Sequence, residues 1–231
     1  RPGAALPREV LEREWLVGNG LGGYASGTIG GAPSRRFHCL LVAALPAPLG
    51  RSAMLAGLRE RVRLDGGDGR CVALSPLGAD AEAPPPLAEF RLEAGLPVWR
   101  FEIGAVVLER RVVLPHLQNT VLVRYRQLAG PPLHLELAPA MHFRAHEGRL
   151  DGAIDDGRGA GHGGSDGASG AEPYVLRAIG ARYEIEGPPY PPLRLLLQGP
   201  GAEALPFTIE REILRGLVYA TERDRGYDFV G

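Results

Sequence analysis

The segment TVLVRYRQLAGPPLHLELAP, residues 120–139, carries the pattern that decides the fold class. Its two halves alternate in polarity, with Val121, Val123 and Tyr125 set against Arg124 and Arg126, and Leu133, Leu135 and Leu137 set against His134 and Glu136. Successive side chains of a β-strand point to opposite faces of the sheet. The alternation therefore predicts two strands, each with one face on a core and one face in water.

The same reading extends along the chain in both directions. Strand-like segments come at hairpin spacing and are separated by Gly and Pro; they are VWRFEI (98–103), AVVLERRVVL (105–114), YVLRAIG (174–180), RYEIEG (182–187) and LRLLLQ (193–198). A run of short strands with turn signals between them is typical of a β-sandwich. We predict an all-β, antiparallel β-sandwich with little helix, limited to one or two turns in 7–15 and an ambiguous segment at 210–217.

Two segments have little to bury. Residues 79–88, ADAEAPPPLA, form a proline-rich connection, and residues 151–170 are rich in Gly and Asp. Such a sequence cannot offset the entropy lost on ordering. We predict that 151–170 is a mobile insertion, open to proteolysis near Arg158, inside a single domain that spans residues 1–231.

Composition excludes several classes of protein. The chain of 231 residues has no lysine and a net charge of −1, so no global field attracts nucleic acid or an anionic membrane. No apolar run reaches the length of a membrane span. Cys39 and Cys71 are the only cysteines and form no metal or redox motif, which is typical of reduced thiols in a cytoplasmic protein. No cofactor is expected.

The glycine-rich stretch GNGLGGYASGTIGG, residues 18–31, matches G-x-G-x-x-G at Gly18, Gly20 and Gly23. A dinucleotide site also needs a following helix and an acidic residue about 20 positions on. The sequence after the glycines is too rich in Gly and β-branched residues for a helix, and residues 15–59 contain no Asp or Glu. A nucleotide site is therefore rejected. We expect the glycines to supply the positive φ angles of chain reversals, a region that Asn19 also tolerates.

Residues 14–51 resemble the opening of the amino-terminal domain of the bacterial and archaeal glycogen-debranching enzymes, the amylo-α-1,6-glucosidase family. The family pattern runs E-W-L, N-G-L-G-G-Y-A-S-G-T, a turn, and R-R-Y-H-G-L-L-V-A. It matches Glu14–Leu16, Asn19–Thr28, Arg35, Arg36, His38 and Leu40–Ala43, with Phe37 in place of Tyr and Cys39 in place of Gly. Residues 90–128 and 210–229 are similar to later parts of the same domain.

The resemblance implies a supersandwich-like domain that precedes an α-helical (α/α) barrel, and that barrel carries the acid pair that hydrolyses α-1,6 branch points. No catalytic residue of the family maps onto this chain. The partners implied are α-glucan or glycogen and a C-terminal catalytic domain of the same polypeptide, with no metal, nucleic acid or membrane. The alternatives are a freestanding α-glucan-binding module and a small glycosidase that uses its own carboxylates.

The resemblance and the loop position single out six candidate residues for binding substrate: Trp15, Asn19, Tyr24, Arg35, Arg36 and His38. In one interpretation they edge a sugar-binding cleft, where Tyr24 and Trp15 stack on a glucose ring while Arg36 and His38 bond its hydroxyls. In the other, the two aromatic residues are core and the two arginines brace a domain junction. Both interpretations stay open at this point.

Other candidates have weaker support. Glycoside hydrolysis needs two carboxyl groups about 5–10 Å apart, and the local pairs Asp155/Asp156, Glu184/Glu186 and Glu210/Glu212 all resemble solvated surface acids. His142 and His146 have a metal spacing only in a helix, which Pro139 disfavours. The arginines at 110, 111, 124 and 126 are predicted to lie on a solvated strand face.

Overall fold

A computed structural model describes residues 6–64, 71–75, 77, 84–148, 174–180, 182–199, 208, 214, 217–227 and 230. The chain divides into two compact units, Arg1–Leu150 with Leu214–Gly231, and Asp151–Ile213. The single domain over 1–231 stays a prediction. The segment 151–170 lies outside the described residues, as do 79–83 of the proline-rich connection.

The first unit contains a six-stranded antiparallel sheet. Its strands are β1 (Glu14–Gly18), β2 (Tyr24–Thr28), β3 (Cys39–Ala44), β4 (Arg51–Leu64), β5 (Cys71–Ala73) and β10 (Leu133–Ala145). They are ordered β1-β2-β3-β4-β10, and β5 pairs with the second half of β4 on the same side as β3. The long strand β4 thus forms the centre of this sheet, and our strand assignments from sequence did not include it.

A four-stranded antiparallel sheet lies in the same unit. It is a meander of β6 (Leu87–Glu93), β7 (Leu96–Ile103), β8 (Val106–Val113) and β9 (Leu122–Ala129). The predicted strands at 98–103, 105–114 and 120–128 are confirmed. The predicted strand at 133–139 follows 120–128 at the spacing of a hairpin, but the two do not pair, because β10 crosses to the six-stranded sheet and pairs with β4. Gly130 permits this crossing: it has φ 98°, and a Cβ there would lie 2.7 Å from the carbonyl oxygen of Ala105.

The two sheets pack face to face around one apolar core. Every second residue of β7, namely Trp99, Phe101 and Ile103, points inward and is buried. The Trp99 ring meets the edge of Trp15 from the other sheet at 5.2 Å between centroids, and its indole N–H donates to the carbonyl of Ile29 at 2.8 Å. The predicted all-β sandwich is confirmed.

A buried charge network joins the two sheets across this core. Glu60 on β4 is fully buried and accepts hydrogen bonds from Arg110 Nη1, at 2.5 Å, and from the Tyr125 hydroxyl. The Arg110 guanidinium also lies over the Trp99 ring, 3.9 Å from its centroid. The prediction that Arg110 is solvated is therefore wrong. Adjacent strand residues point to opposite faces, so of Arg110 and Arg111 only Arg111 faces outward.

The second unit contains the three-stranded antiparallel sheet β11 (Val175–Ile179), β12 (Arg182–Glu186) and β13 (Leu193–Leu196), as the later strand-like segments predicted. Helix is confined to α1 (Arg8–Leu11) and α2 (Ala220–Asp224) within the described residues. The one turn of α1 agrees with the prediction for 7–15. Of residues 210–217 only 214 and 217 are described. No helix among the described residues is long and apolar enough to cross a membrane.

Candidate functional site

Asn19 is the centre of the glycine-rich loop between β1 and β2. The side chain is fully buried; its Oδ1 accepts from the Leu21 N–H at 2.9 Å, and its Nδ2 donates to the Gln118 carbonyl at 2.9 Å and to Asn119 Oδ1 at 3.1 Å. Asn119 in turn bonds both backbone groups of Ala44. Asn19 thus joins this loop to the turn before β9 and, through Asn119, to the end of β3.

The glycines serve the chain reversal, as the sequence predicted. Gly20 and Gly22 have φ of 81° and 96°. A Cβ on Gly23 would lie 2.6 Å from the Val42 carbonyl oxygen and 2.7 Å from Asn19 Nδ2, so only glycine lets the loop close onto β3. Asn19 itself does not have a positive φ; among the described residues other than glycine, only Ala94 and Leu117 do. Its role lies in its side-chain amide.

Trp15 lies in the sandwich core, as the second interpretation had it. The residue is buried, its ring packs on Trp99, and its indole N–H donates to the Thr28 carbonyl at 3.2 Å. Trp15 and Asn19 are therefore both bonded inside the protein, and neither presents a free surface to a ligand in this structure.

Arg35 and His38 converge on Glu14. Arg35 Nε donates to Glu14 Oε1 at 2.5 Å, and His38 Nε2 lies 3.5 Å from the same oxygen. The Ser34 N–H donates to His38 Nδ1 at 3.2 Å, which leaves Nε2 to carry the proton. Burial lowers the pKa of His38 to about 4 despite the opposing charge of Glu14. Burial alone would raise the pKa of Glu14, but Arg35 and His38 outweigh that effect and lower it. This geometry is that of a brace.

Tyr24 and Arg36 lie instead in a cluster on the outer face of the six-stranded sheet, which we call the Tyr24 cluster: Tyr24, Arg36, Phe37 and His146. The Tyr24 hydroxyl lies 2.6 Å from His146 Nε2 and donates to the Phe37 carbonyl at 3.1 Å. The Phe37 and His146 rings stack at 4.7 Å, and the Arg36 guanidinium lies 4.8 Å from the Phe37 ring centroid. All four side chains are partly exposed. Burial raises the pKa of Tyr24 to about 12, so its hydroxyl keeps its proton.

Arg144 holds the Tyr24 cluster in place from β10. Its Nη1 donates to the His146 carbonyl at 2.7 Å, its Nη2 donates to the Arg36 carbonyl, and the residue is buried. On the other side of the loop, the Thr221 N–H at the start of α2 donates to the Ser34 carbonyl at 2.9 Å. Sequence reasoning missed Arg144 and considered His146 only as a metal ligand, because the pairing of β10 with β4 brings both to this face.

A small cavity lies in a gap of the six-stranded sheet. β3 pairs with β4 as far as Leu55 and β5 pairs with it from Arg61, and the cavity is lined there by Ala56, Gly57, Leu58, Leu77, His38 and Arg110, among others. Its volume is about 60 Å³. That is room for roughly two water molecules, far below the roughly 300 Å³ at which ligand pockets begin. A sugar ring does not fit in this cavity.

Of the remaining candidates, the pairs Asp155/Asp156 and Glu210/Glu212 lie outside the described residues, and those that are described do not form a catalytic or metal site. Glu184, on β12, is buried and ion-paired to Arg194 at 2.8 Å and Arg182 at 3.1 Å, so it is no solvated surface acid. The hydrogen bond from Arg194, above all, lowers its pKa, which is opposite to what a general acid needs. His142 is on a strand, not a helix, and Arg144 Nε donates to its Nδ1 at 3.3 Å. No group of three or more metal-ligating side chains occurs among the described residues.

Comparison with known proteins identifies the family. The family model described as glycogen debranching enzyme N terminal matches residues 13–231, nearly the whole chain. Neither the curated proteins nor the solved structures gave a significant match. The matched region contains β1, the glycine-rich loop and every residue of the Tyr24 cluster. The chain therefore belongs to the glycogen debranching enzyme N-terminal family.

Proposed function

We propose that this chain is the non-catalytic N-terminal domain, over residues 1–231, of a glycogen debranching enzyme that hydrolyses α-1,6 branch points of glycogen. In this proposal it supports a C-terminal α-helical catalytic barrel of the same polypeptide and shapes one side of the glucan cleft. The role belongs to cytoplasmic glycogen catabolism. The family match over residues 13–231 is the observation that carries the proposal.

The six predicted residues fall into two groups, those that are exposed enough to contact a glucan and those that hold the loop in place. Tyr24 and Arg36 are partly exposed beside the stacked Phe37 and His146 rings, which gives an aromatic surface next to hydrogen-bonding groups. This combination suits a sugar, whose ring faces are apolar and whose edges carry hydroxyls. Arg36, Tyr24 and the Phe37 ring are the proposed glucan contacts.

The other four residues are proposed to shape the cleft indirectly, by fixing the backbone that carries the glucan contacts. Trp15 and Asn19 hold β1 and the glycine-rich loop, while Arg35 and His38 hold the 34–38 turn through Glu14. Their substitution is expected to act through the position of Tyr24 and Arg36. The domain thus contributes shape and contacts, and the chemistry belongs to the barrel.

Calorimetric titration of the chain with maltoheptaose tests the glucan contact. Phe37→Ala and Arg36→Ala should each weaken binding by about 1 kcal/mol or more, roughly fivefold, because each removes a contact to a neutral sugar. The matched control is Tyr227→Ala, which removes an aromatic side chain just after α2; Tyr227 is 58% exposed. Binding that is unchanged in both cluster variants, with all proteins folded by circular dichroism, would refute the glucan surface.

A further inference from the structure

Three arginines surround His146 on the outer face of the six-stranded sheet. The Arg36 guanidinium lies on the Phe37 ring that stacks on His146, the Arg144 side chain donates to the His146 backbone carbonyl, and the backbone N–H of His146 donates to the backbone carbonyl of Arg51 at 2.9 Å. Burial lowers the pKa of His146, and the charges of Arg144, Arg51 and Arg36 lower it further, against the opposing charge of the exposed Glu147.

None of these three arginines has a carboxylate partner among the described residues. Arg144 donates to backbone carbonyls and to His142, Arg36 lies on Phe37, and Arg51 is exposed with its Nε 3.9 Å from the position of a Cβ on Gly22. The outer face of the four-stranded sheet is built differently. There Arg91, Arg100 and Arg111 are each ion-paired to glutamates.

The cause is visible in the sequence. Residues 15–59 contain arginines 35, 36, 51 and 59 but no Asp or Glu. Arg35 obtains its carboxylate from Glu14, just outside that stretch. The Nε of Arg36 is buried and has no hydrogen-bond partner. Because that Nε is buried, an anion would act on the remaining exposed part of Arg36 and on the exposed Arg51, where uncompensated positive charge favours its binding.

We infer that Arg36 and Arg51, backed by the buried charge of Arg144, form a binding site for a phosphate group beside the Tyr24 cluster. Arginine donates in a fork that matches phosphate oxygens, so two accessible guanidinium groups can hold one phosphate. The neighbouring Phe37 and His146 rings supply a surface for a sugar attached to that phosphate. The site lies on the same face as the proposed glucan contact, but it rests on the arginines and not on glucan binding.

The test is calorimetric titration of the chain with inorganic phosphate at constant ionic strength, followed by glucose 6-phosphate. Saturable binding is expected, and Arg51→Gln and Arg36→Gln should each weaken it about tenfold, as expected for loss of a charged hydrogen bond. Arg124→Gln, on the exposed face of β9, is the matched control and should bind as the unchanged protein does. Glucose 6-phosphate should bind more tightly than phosphate, because its sugar ring contacts the Phe37 and His146 rings.

Arg51→Gln keeps the test decisive, since the exposed Arg51 side chain makes no hydrogen bond or ion pair among the described residues and its loss should leave the fold intact. Absence of saturable phosphate binding, or equal binding by Arg51→Gln and Arg124→Gln, would overturn the inference. Maltoheptaose separates the two proposals. Binding of maltoheptaose without binding of phosphate would support the glucan surface and refute the phosphate site. Binding of phosphate without binding of maltoheptaose would support the phosphate site and refute the glucan surface.

Discussion

Removal of Glu60 alone should destabilise the sandwich strongly. Glu60→Leu leaves the Arg110 guanidinium, 8% exposed as a residue, without its carboxylate between the two sheets, and it leaves the Tyr125 hydroxyl without its acceptor. Burial and the charge of Glu60 raise the pKa of Tyr125 well above its usual value, so this phenol stays a donor that needs an acceptor. Breaking a buried pair from one side costs about 3–5 kcal/mol.

The double variant Glu60→Leu/Arg110→Met should be more stable than either single variant, because it removes both charges and keeps the volume apolar. Urea unfolding of the four proteins measures the coupling free energy. Glu12→Gln breaks an exposed ion pair with Arg8 and should change stability by no measurable amount. Additive single variants, or a cost below about 1 kcal/mol for Glu60→Leu, would refute the view that this network is a closed electrostatic unit.

Three further outcomes are expected. Asn19→Ala should destabilise the chain by about 2–4 kcal/mol in urea unfolding, because it removes three buried hydrogen bonds, while Gln118→Ala, which spares the side chain of Asn19, should cost far less. The pKa of His38 falls from its ordinary 6.5 to about 4 on folding, so the unfolded chain binds the proton more readily between these values; stability measured by urea unfolding should be full above about pH 6.5 and fall toward pH 4, with a smaller fall in His38→Gln. The chain alone should release no glucose from a branched limit dextrin, and release that disappears on substitution of one Asp or Glu would contradict this.

The strand content could be predicted because alternation is local. Trp99 and Phe101 on β7 show the period of two that puts them in the core, and the structure places them there. Which strands pair with each other could not be predicted in the same way. The pairing of β10 with β4 joins Leu133 to Leu64, and no local pattern in either segment encodes that distant register.

The residues of the candidate site could likewise be predicted where they are close in sequence, and could not where a long-range pairing brings them together. The resemblance pointed to the loop and to Tyr24, Arg36 and His38, all of which are close in sequence. Arg144 and His146 were missed as site residues because they reach the site through a long-range strand pairing. Arg110 was placed on the wrong side of the sheet, although its neighbour Arg111 carried a usable signal: two adjacent residues of one strand cannot both face water.

The crossing at Gly130 has a consequence for the order of folding. The meander of β6 to β9 closes through short turns, so its strands can pair at little cost in loop entropy. The strand β10 leaves that meander and must find β4, which lies on the far side of it in the chain, at pairs such as Ala145 with Ser52. Non-local pairings of this kind slow folding. During synthesis, the edge of β4 that pairs with β10 therefore stays open until residues up to about 145 have left the ribosome, and an open strand edge can pair with a wrong strand.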